Sequence, residues 1–168
     1  MADVTNPREL FLHELADILY VERELAEEAL PKLIEEVEDQ ELKLGLQKHL
    51  RQTQQHVKNV ERVFRALGEP AEAEKCIGWE GIKKEHERLV EDAIHELIDM
   101  VDAGAAARTE HYEIAAYQGL ITMARALGER EAVNLLDRNL KEEKEALREV
   151  EKVTRRLSKQ QAKEFALA

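Results

Sequence analysis

The spacing of apolar residues along the chain is helical over most of its length. Leucine, isoleucine, valine and alanine recur every three or four residues with charged residues between them, which is typical of helices that bury one face. Four long segments carry this pattern. We therefore predict four long helices, at about residues 7–38, 40–67, 93–127 and 130–157, followed by a polar and frayed tail at 158–168.

Local signals indicate where these helices begin and end. Asn6 can cap the first helix. Gly68 and Gly128 follow the second and third helices, where a glycine commonly ends a helix. Pro31 lies inside the first helix and predicts a kink or a break near Ala29, because proline lacks the amide hydrogen that a helix interior needs.

The stretch between the second and third helices is the least regular part of the chain. Residues 69–92 contain Pro70, Gly78 and Gly81, and we predict one short helix within them, at about 80–91. Short turns join the first helix to the second and the third to the fourth. The predicted fold is therefore all-α: a ferritin-like four-helix bundle whose long crossover, between the second and third helices, carries a short extra helix.

Glutamates interrupt the apolar faces of three predicted helices. Successive helical residues turn by about 100°, so the inward face follows from residue number. Glu22 lies in the middle of the first helix's apolar face, and Glu143 at the centre of the fourth's. Glu110 and Glu113 both fall on the third. An ionised carboxylate in such a core costs several kcal/mol unless it is paired or bound to a metal, and these faces contain no lysine or arginine.

Imidazoles take the corresponding place on the second helix. His49 and His56 lie within about 60° of the centre of its apolar face. Tyr117, near the carboxylates, can hydrogen-bond to them, although core packing is the simpler interpretation. Oxygen and nitrogen donors of this kind suit iron or manganese. We predict up to two such ions per chain, held by Glu22, His49, His56, Glu110, Glu113 and Glu143.

A simpler interpretation exists for each glutamate alone. A glutamate at the edge of a buried face can extend its carboxylate to water, with no metal involved. The coincidence of inward glutamates on three helices and imidazoles on the fourth favours the metal site. The sequence leaves open whether His49 or His56 is the ligand.

Composition narrows the classes of function. The chain has 168 residues, which suits a single domain spanning 1–168, and a formal net charge of −11. The acidity counts against nucleic acid as a partner, and the absence of a long apolar run counts against a membrane. A single cysteine, Cys76, excludes an intrachain disulfide, so we expect a cytoplasmic, reducing location.

Four segments resemble the YciE/YciF-like family of bacterial stress proteins. They are residues 12–22 (LHELADILYVE), 75–82 (KCIGWEGI), 110–117 (EHYEIAAY) and 140–144 (LKEEK), of which the third is the most specific. The resemblance covers nearly the whole chain in the right order. It implies a ferritin-like helical bundle, a homodimer and a rubrerythrin-like di-metal centre.

The resemblance also shows where this chain departs from a rubrerythrin-like site. Such sites take Glu from the first helix, Glu-x-x-His from the second, Glu-x-x-Glu from the third and Glu-x-x-His from the fourth. The matching residues here are Glu22, His56, Glu110, Glu113 and Glu143. Thr53 stands in place of the second-helix Glu, Ala146 in place of the fourth-helix His, and His49 is a substitute ligand. Two metal ions, or one strong site beside a weak or empty one, are both compatible with this set.

Two functions of different classes follow. The first is a di-metal protein that handles iron, peroxide or dioxygen by redox chemistry during stress. The alternative is a non-catalytic, dimeric stress-related bundle whose metal site is structural, partial or absent, as the missing acidic position on the second helix suggests. A cage-forming ferritin is a weaker possibility, because the irregular connection at 69–92 and the resemblance both favour a small oligomer. The sequence does not decide whether the protein is an enzyme.

Overall fold

Six α-helices make up most of residues 4–167, the part of the chain that the computed structural model describes. The helices are α1 (Pro7–Glu24), α2 (Leu30–Glu36), α3 (Gln40–Ala66), α4 (Ile77–Asp92), α5 (Ile98–Leu127) and α6 (Arg130–Leu167). A π-helical segment, Leu25–Ala29, joins α1 and α2 into one continuous helical rod. This rod, α3, α5 and α6 are the four long helices of the bundle.

The helices pack as a ring of four. The first rod contacts α3 and α5, and α6 contacts the same two helices from the other side. Short turns close the first and last hairpins, whereas residues 67–97 cross from α3 to α5 and carry α4, which packs on α5. The predicted all-α, ferritin-like bundle with a crossover helix is therefore confirmed.

The break predicted in the first helix corresponds to the π-helical segment. Pro31 is the second residue of α2 and has no amide hydrogen to donate to the carbonyl of Glu27. The wider turn Leu25–Ala29 precedes it, and the rod continues to Glu36 rather than to residue 38. Val37 adopts an extended conformation and starts the turn into α3.

The crossover differs from its predicted boundaries at both ends. The extra helix begins at Ile77 rather than at about residue 80, and it spans 16 residues. The third long helix begins at Ile98 rather than at residue 93, because Ala93 and Ile94 are extended and a short 3₁₀ turn, His95–Leu97, follows them. Extended residues cannot contribute to the helical ladder, so the start of α5 is delayed by five residues.

The expected frayed tail is helical. α6 continues to Leu167, so the prediction of an irregular segment is wrong for residues 158–167. That segment contains no glycine or proline and is rich in Ala, Lys, Gln and Glu, all good helix formers. Ala168, like residues 1–3, lies outside the described residues.

A continuous apolar core runs along the bundle. Phe11, Leu15, Val63, Leu120 and Leu136 are among its most deeply buried members and come from all four long helices. Polar side chains occupy the middle of this core. Among residues 4–167 there is no helix both long enough and apolar enough to cross a bilayer.

Candidate metal centre

The six predicted ligands converge in the core. α1 contributes Glu22, α3 contributes His49 and His56 two turns apart, α5 contributes Glu110 and Glu113, and α6 contributes Glu143. Four of these residues are completely buried, while Glu110 is 4 % and His49 is 5 % exposed. The inward orientation derived from helical spacing therefore holds on all four helices, and both histidines reach the cluster.

The ligand atoms form two groups that share one carboxylate. Glu143 belongs to both groups, and in each of them the candidate ligand atoms lie within 4.8 Å of one another. The groups are His49, Glu110, Glu113 and Glu143, and Glu22, His56 and Glu143. Two adjacent positions joined by a carboxylate match the arrangement in which paired metal ions are held in bundle cores.

Specific distances place one imidazole at each position. His49 Nε2 lies 3.3 Å from Glu110 Oε1 and 3.7 Å from Glu143 Oε2. His56 Nδ1 lies 2.7 Å from Glu143 Oε1 and 3.4 Å from Glu22 Oε1, in both cases without the alignment of a hydrogen bond. Each ring thus directs one nitrogen at carboxylate oxygens from other helices.

Many polar atoms in this cluster have no hydrogen-bond partner within residues 4–167. They are Glu22 Oε2, His49 Nδ1, His56 Nδ1, Glu110 Oε2 and both carboxylate oxygens of Glu113 and Glu143. Buried polar atoms are normally hydrogen-bonded, so this concentration requires an explanation. Oxygen and imidazole nitrogen donors that converge without partners fit divalent or trivalent iron or manganese.

Charge in the cluster is distributed unevenly. Burial, followed by the charge of Glu143, raises the pKa of both Glu110 and Glu113 well above the usual 4.5. Burial opposes the charge of His56, but the carboxylates of Glu22 and Glu143 outweigh it and raise the pKa of His56 to about 11. Burial lowers the pKa of His49, which favours its neutral form. Metal binding would therefore displace protons from this cluster.

Glu142 is a site residue that helical spacing did not reveal. Its carboxylate is partly exposed, at 39 %, and lies 2.7 Å from His56 Nε2. A carboxylate on one ring nitrogen of a histidine fixes the ring and directs the other nitrogen at a metal. Glu142 is adjacent to Glu143 on α6, but in sequence it resembles any surface glutamate.

Tyr117 and Asn139 are also part of the centre. The Tyr117 hydroxyl donates a hydrogen bond to Glu22, and Asn139 Nδ2 donates one to the Tyr117 oxygen at 2.9 Å. Both residues are completely buried. Core packing alone therefore does not describe Tyr117. Asn139 was missed in the sequence, although it lies one turn before Glu143 and about 40° from it on the same apolar face of α6.

The two positions that depart from the rubrerythrin-like pattern have local roles. Thr53 is completely buried and its hydroxyl donates to the carbonyl of His49, one turn earlier on the same helix. Ala146 lines a cavity of about 360 Å³ together with His49 and Glu110.

A second cavity, of about 100 Å³, lies between the π-helical segment, α4 and α5. His49 and Glu110 line this cavity too. The cluster is thus most accessible on the side of these two residues.

The fold and the core together define an all-helical bundle with ferritin-like connectivity and a buried carboxylate–imidazole cluster. The chain belongs to the family described as domain of unknown function DUF892, whose model matches residues 6–163. It is 33 % identical to the Escherichia coli protein YciF over 138 residues, which cover 81 % of this chain and 82 % of YciF. The family resemblance read from the sequence is confirmed.

Two solved structures of similar proteins have the same fold as this chain. The crystal structure of the E. coli stress protein YciF superposes with a TM-score of 0.86 and 28 % identity, covering 93 % of this chain and 99 % of that one. YcfI of Rhodopseudomonas palustris, provisionally described as a structural protein, superposes with a TM-score of 0.85 and 35 % identity, covering 89 % and 96 %.

Proposed function

We propose that this protein binds two iron or manganese ions in the core of its bundle and uses them in the redox handling of iron, peroxide or dioxygen. The observation that carries this proposal is the set of converging carboxylate and imidazole atoms that have no hydrogen-bond partner within residues 4–167. A pair of such ions supplies the capacity to pass electrons to an oxidant, which these side chains alone lack.

Each ligand has a distinct part in this proposal. Glu143 belongs to both groups and would be a ligand shared by the two ions. Glu22 and His56 would hold one ion, and His49 and Glu110 the other. Glu113 would complete the second position.

Residues around the ligands would prepare the site for these ions. Glu142 accepts a hydrogen bond from His56 Nε2 and would keep Nδ1 directed inward. Glu110 and Glu113, whose pKa values are raised, would release their protons to solvent as the ions bind. The deep burial of the cluster keeps bulk water from the redox centre.

A role in stress, a homodimer and a cytoplasmic location complete the proposal. The stress role rests on the similarity to YciF, which is described as a stress protein. The reducing location rests on the single, buried cysteine.

Metal analysis and anomalous scattering test the metal centre directly. We expect protein produced in medium supplemented with iron or manganese to contain about two ions per chain, with anomalous peaks at the two positions beside Glu143. The variant Glu143→Gln removes the shared ligand, and we expect it to lose both ions. The matched variant Glu91→Gln, exposed on α4, should keep them. A metal content near zero in the unmodified protein would contradict the proposal.

The non-catalytic alternative rests on one observation. Thr53 and Ala146 provide no ligand at two positions where a rubrerythrin-like site has one, and His49 is the single substitute, so the set is one ligand smaller than the rubrerythrin-like set. Consumption of peroxide or dioxygen by the loaded protein separates the two functions. Turnover above that of the Glu143→Gln variant supports redox chemistry, while bound metal without turnover supports a structural role.

A further inference from the structure

We infer that Tyr117 and Asn139 are positioning residues that hold Glu22 and His56 ready for one of the two metal ions. The two groups described above consist of glutamates and histidines, and the roles of Tyr117 and Asn139 lie in the hydrogen bonds that they make to these residues. The inference rests on the proposed metal centre, and it adds that the two metal positions are supported by the protein in different ways.

A chain of hydrogen bonds leads from the surface of the bundle to Glu22. Gln55 Nε2 donates to Asn59 Oδ1 at 3.0 Å, and Asn59 Nδ2 donates to Asn139 Oδ1 at 2.7 Å. Asn139 Nδ2 donates to the Tyr117 oxygen at 2.9 Å, and the Tyr117 hydroxyl donates to Glu22 Oε1. Every bond in this chain points inward, and the chain connects all four long helices.

The direction of the chain is fixed at Asn139. Its Nδ2 also lies 3.4 Å from the backbone carbonyl of His56, which can only accept a hydrogen bond. The amide nitrogen must therefore face Tyr117, and the amide oxygen must face Asn59. Because the Tyr117 oxygen already accepts from Asn139, its own proton is directed at Glu22.

The consequence for Glu22 is that its two oxygens have different roles. Oε1 is bound by Tyr117, whereas Oε2 is buried and has no hydrogen-bond partner in the described part of the chain. Tyr117 thus fixes the rotation of the carboxylate and leaves one oxygen for an ion. Asn139 also donates to the backbone carbonyl of His56, the second ligand of this position. This bond holds the turn of α3 that carries His56.

At the other metal position, no side chain among the described residues donates a hydrogen bond to the side chain of a ligand. Within residues 4–167, both carboxylate oxygens of Glu113, Oε2 of Glu110 and Nδ1 of His49 have no hydrogen-bond partner. Loss of the Tyr117 hydroxyl should therefore weaken the position at Glu22 and His56 and leave the one at His49 and Glu110 intact. A role in general packing would affect both positions or neither.

Cobalt(II) titration of the Tyr117→Phe variant tests this inference. We expect the unmodified protein to bind two ions, and the variant to bind one of them about 10–100-fold more weakly, the usual effect of losing a partner of a metal ligand. Equilibrium dialysis measures the two affinities. An anomalous map of the cobalt-loaded variant should show reduced occupancy between Glu22 and His56 only.

Tyr112→Phe is the matched control. Tyr112 lies on the same helix, and its hydroxyl contacts Cys76 Sγ at 2.8 Å rather than a metal ligand, so both affinities should be unchanged. Asn139→Leu should reproduce the loss at one position, since it removes the donor to both Tyr117 and His56. Thermal unfolding of each metal-free variant separates loss of stability from loss of affinity.

Three results would overturn the inference, and they differ from one another. If Tyr117→Phe binds both ions normally, or weakens both equally, the hydroxyl is not a positioning group for one site. If the unmodified protein binds no cobalt, iron or manganese, the proposed metal centre itself fails, and the inference fails with it.

Discussion

At the scale of single residues, Glu113 shows what a buried carboxylate costs the metal-free protein. Its side chain is completely buried, and neither oxygen has a hydrogen-bond partner within residues 4–167. Burial, followed by the charges of Glu143 and Glu22, raises its pKa well above 4.5. The folded protein therefore binds this proton more tightly than the unfolded chain does. Its contribution to stability is complete below pH 4.5 and is lost as the pH rises through the folded-state pKa.

We predict that Glu113→Gln stabilises the metal-free protein at neutral pH. Glutamine has the same shape but no charge to bury, and a shift of one pKa unit corresponds to about 1.4 kcal/mol. In the presence of a chelator at pH 7.5, we expect the free energy of unfolding to rise by about 1–3 kcal/mol. At pH 4 the two proteins should differ little, because the carboxyl is protonated in both folded and unfolded states. Urea denaturation at the two pH values measures the difference.

The exposed Glu91 provides the control for this prediction. Glu91→Gln, on the outer face of α4, should leave the free energy of unfolding unchanged at both pH values. A Glu113→Gln variant that is less stable than the unmodified protein at pH 7.5 would show that the carboxylate is held in the fold by an interaction that the structure does not contain.

The sequence predicted the positions of some residues of the candidate metal centre and missed others. Glu22 and Glu143 were identified because a charged residue in the middle of an apolar face is conspicuous once the helical angle is known. Glu142 was not, because its contact with His56 depends on the separation of α3 and α6. The sequence placed Tyr117 near the carboxylates but could not specify the hydrogen bonds of Tyr117 and Asn139. These bonds join residues 95 and 22 positions apart along the chain.

At the scale of helices, the crossover is attached to the bundle by a close contact at its first turn. A Cβ atom placed on Gly78 of α4 would lie 2.9 Å from the ring of Tyr112 on α5. Tyr112 in turn contacts Cys76, the residue before α4. The small size of Gly78 is therefore what allows α4 to lie against α5, beside the cavity that leads to His49 and Glu110.

We predict that alanine substitutions at two glycines of α4 have opposite effects. Gly78→Ala should lower the free energy of unfolding by about 1–3 kcal/mol, because the added methyl group must displace the Tyr112 ring. Gly81→Ala should raise it by about 0.5–1 kcal/mol, because alanine is the better helix former and no described atom outside the local helix lies within 4 Å of the new group. Urea denaturation of both variants measures the effects, and equal effects would rule out a close contact at Gly78.

Packing at this first turn also explains why the start of α4 was predicted too late. Gly78 disfavours a helix in isolation, so local preference places the start of the helix after it. The buried Trp79 anchors this turn in the apolar core, and packing of this kind outweighs local preference. The four long helices were predicted more reliably, because each repeats its apolar pattern over many turns.

At the scale of the whole molecule, the carboxylate–imidazole cluster would cross-link the bundle if it held cations as proposed. Its six candidate ligands come from all four long helices. Two metal ions bound there would therefore connect α1, α3, α5 and α6 at one point. Without ions, Glu110, Glu113 and Glu143 would repel one another in the core if all three were ionised, which is part of why the pKa values of Glu110 and Glu113 are raised. The folded state has the site assembled and the unfolded chain does not, so binding energy is added to the stability of the fold.

We therefore predict a large difference in thermal stability between the loaded and the metal-free protein. An ion that binds only the folded state adds about 4 kcal/mol when its concentration is a thousand times its dissociation constant. For a chain of this length each kcal/mol corresponds to about 2–4 °C, so we expect the unfolding midpoint to rise by about 8–16 °C for each ion bound at that concentration. Calorimetry with excess manganese and with a chelator measures this shift.

Glu143→Gln, which lacks the carboxylate shared by both positions, should show almost none of this shift. The shift should also shrink from pH 7.5 to pH 5, because protons on Glu110 and Glu113 compete with the ions. Equal midpoints with manganese and with chelator at pH 7.5 would mean that the four helices are not joined by metal, whatever brings their carboxylates together.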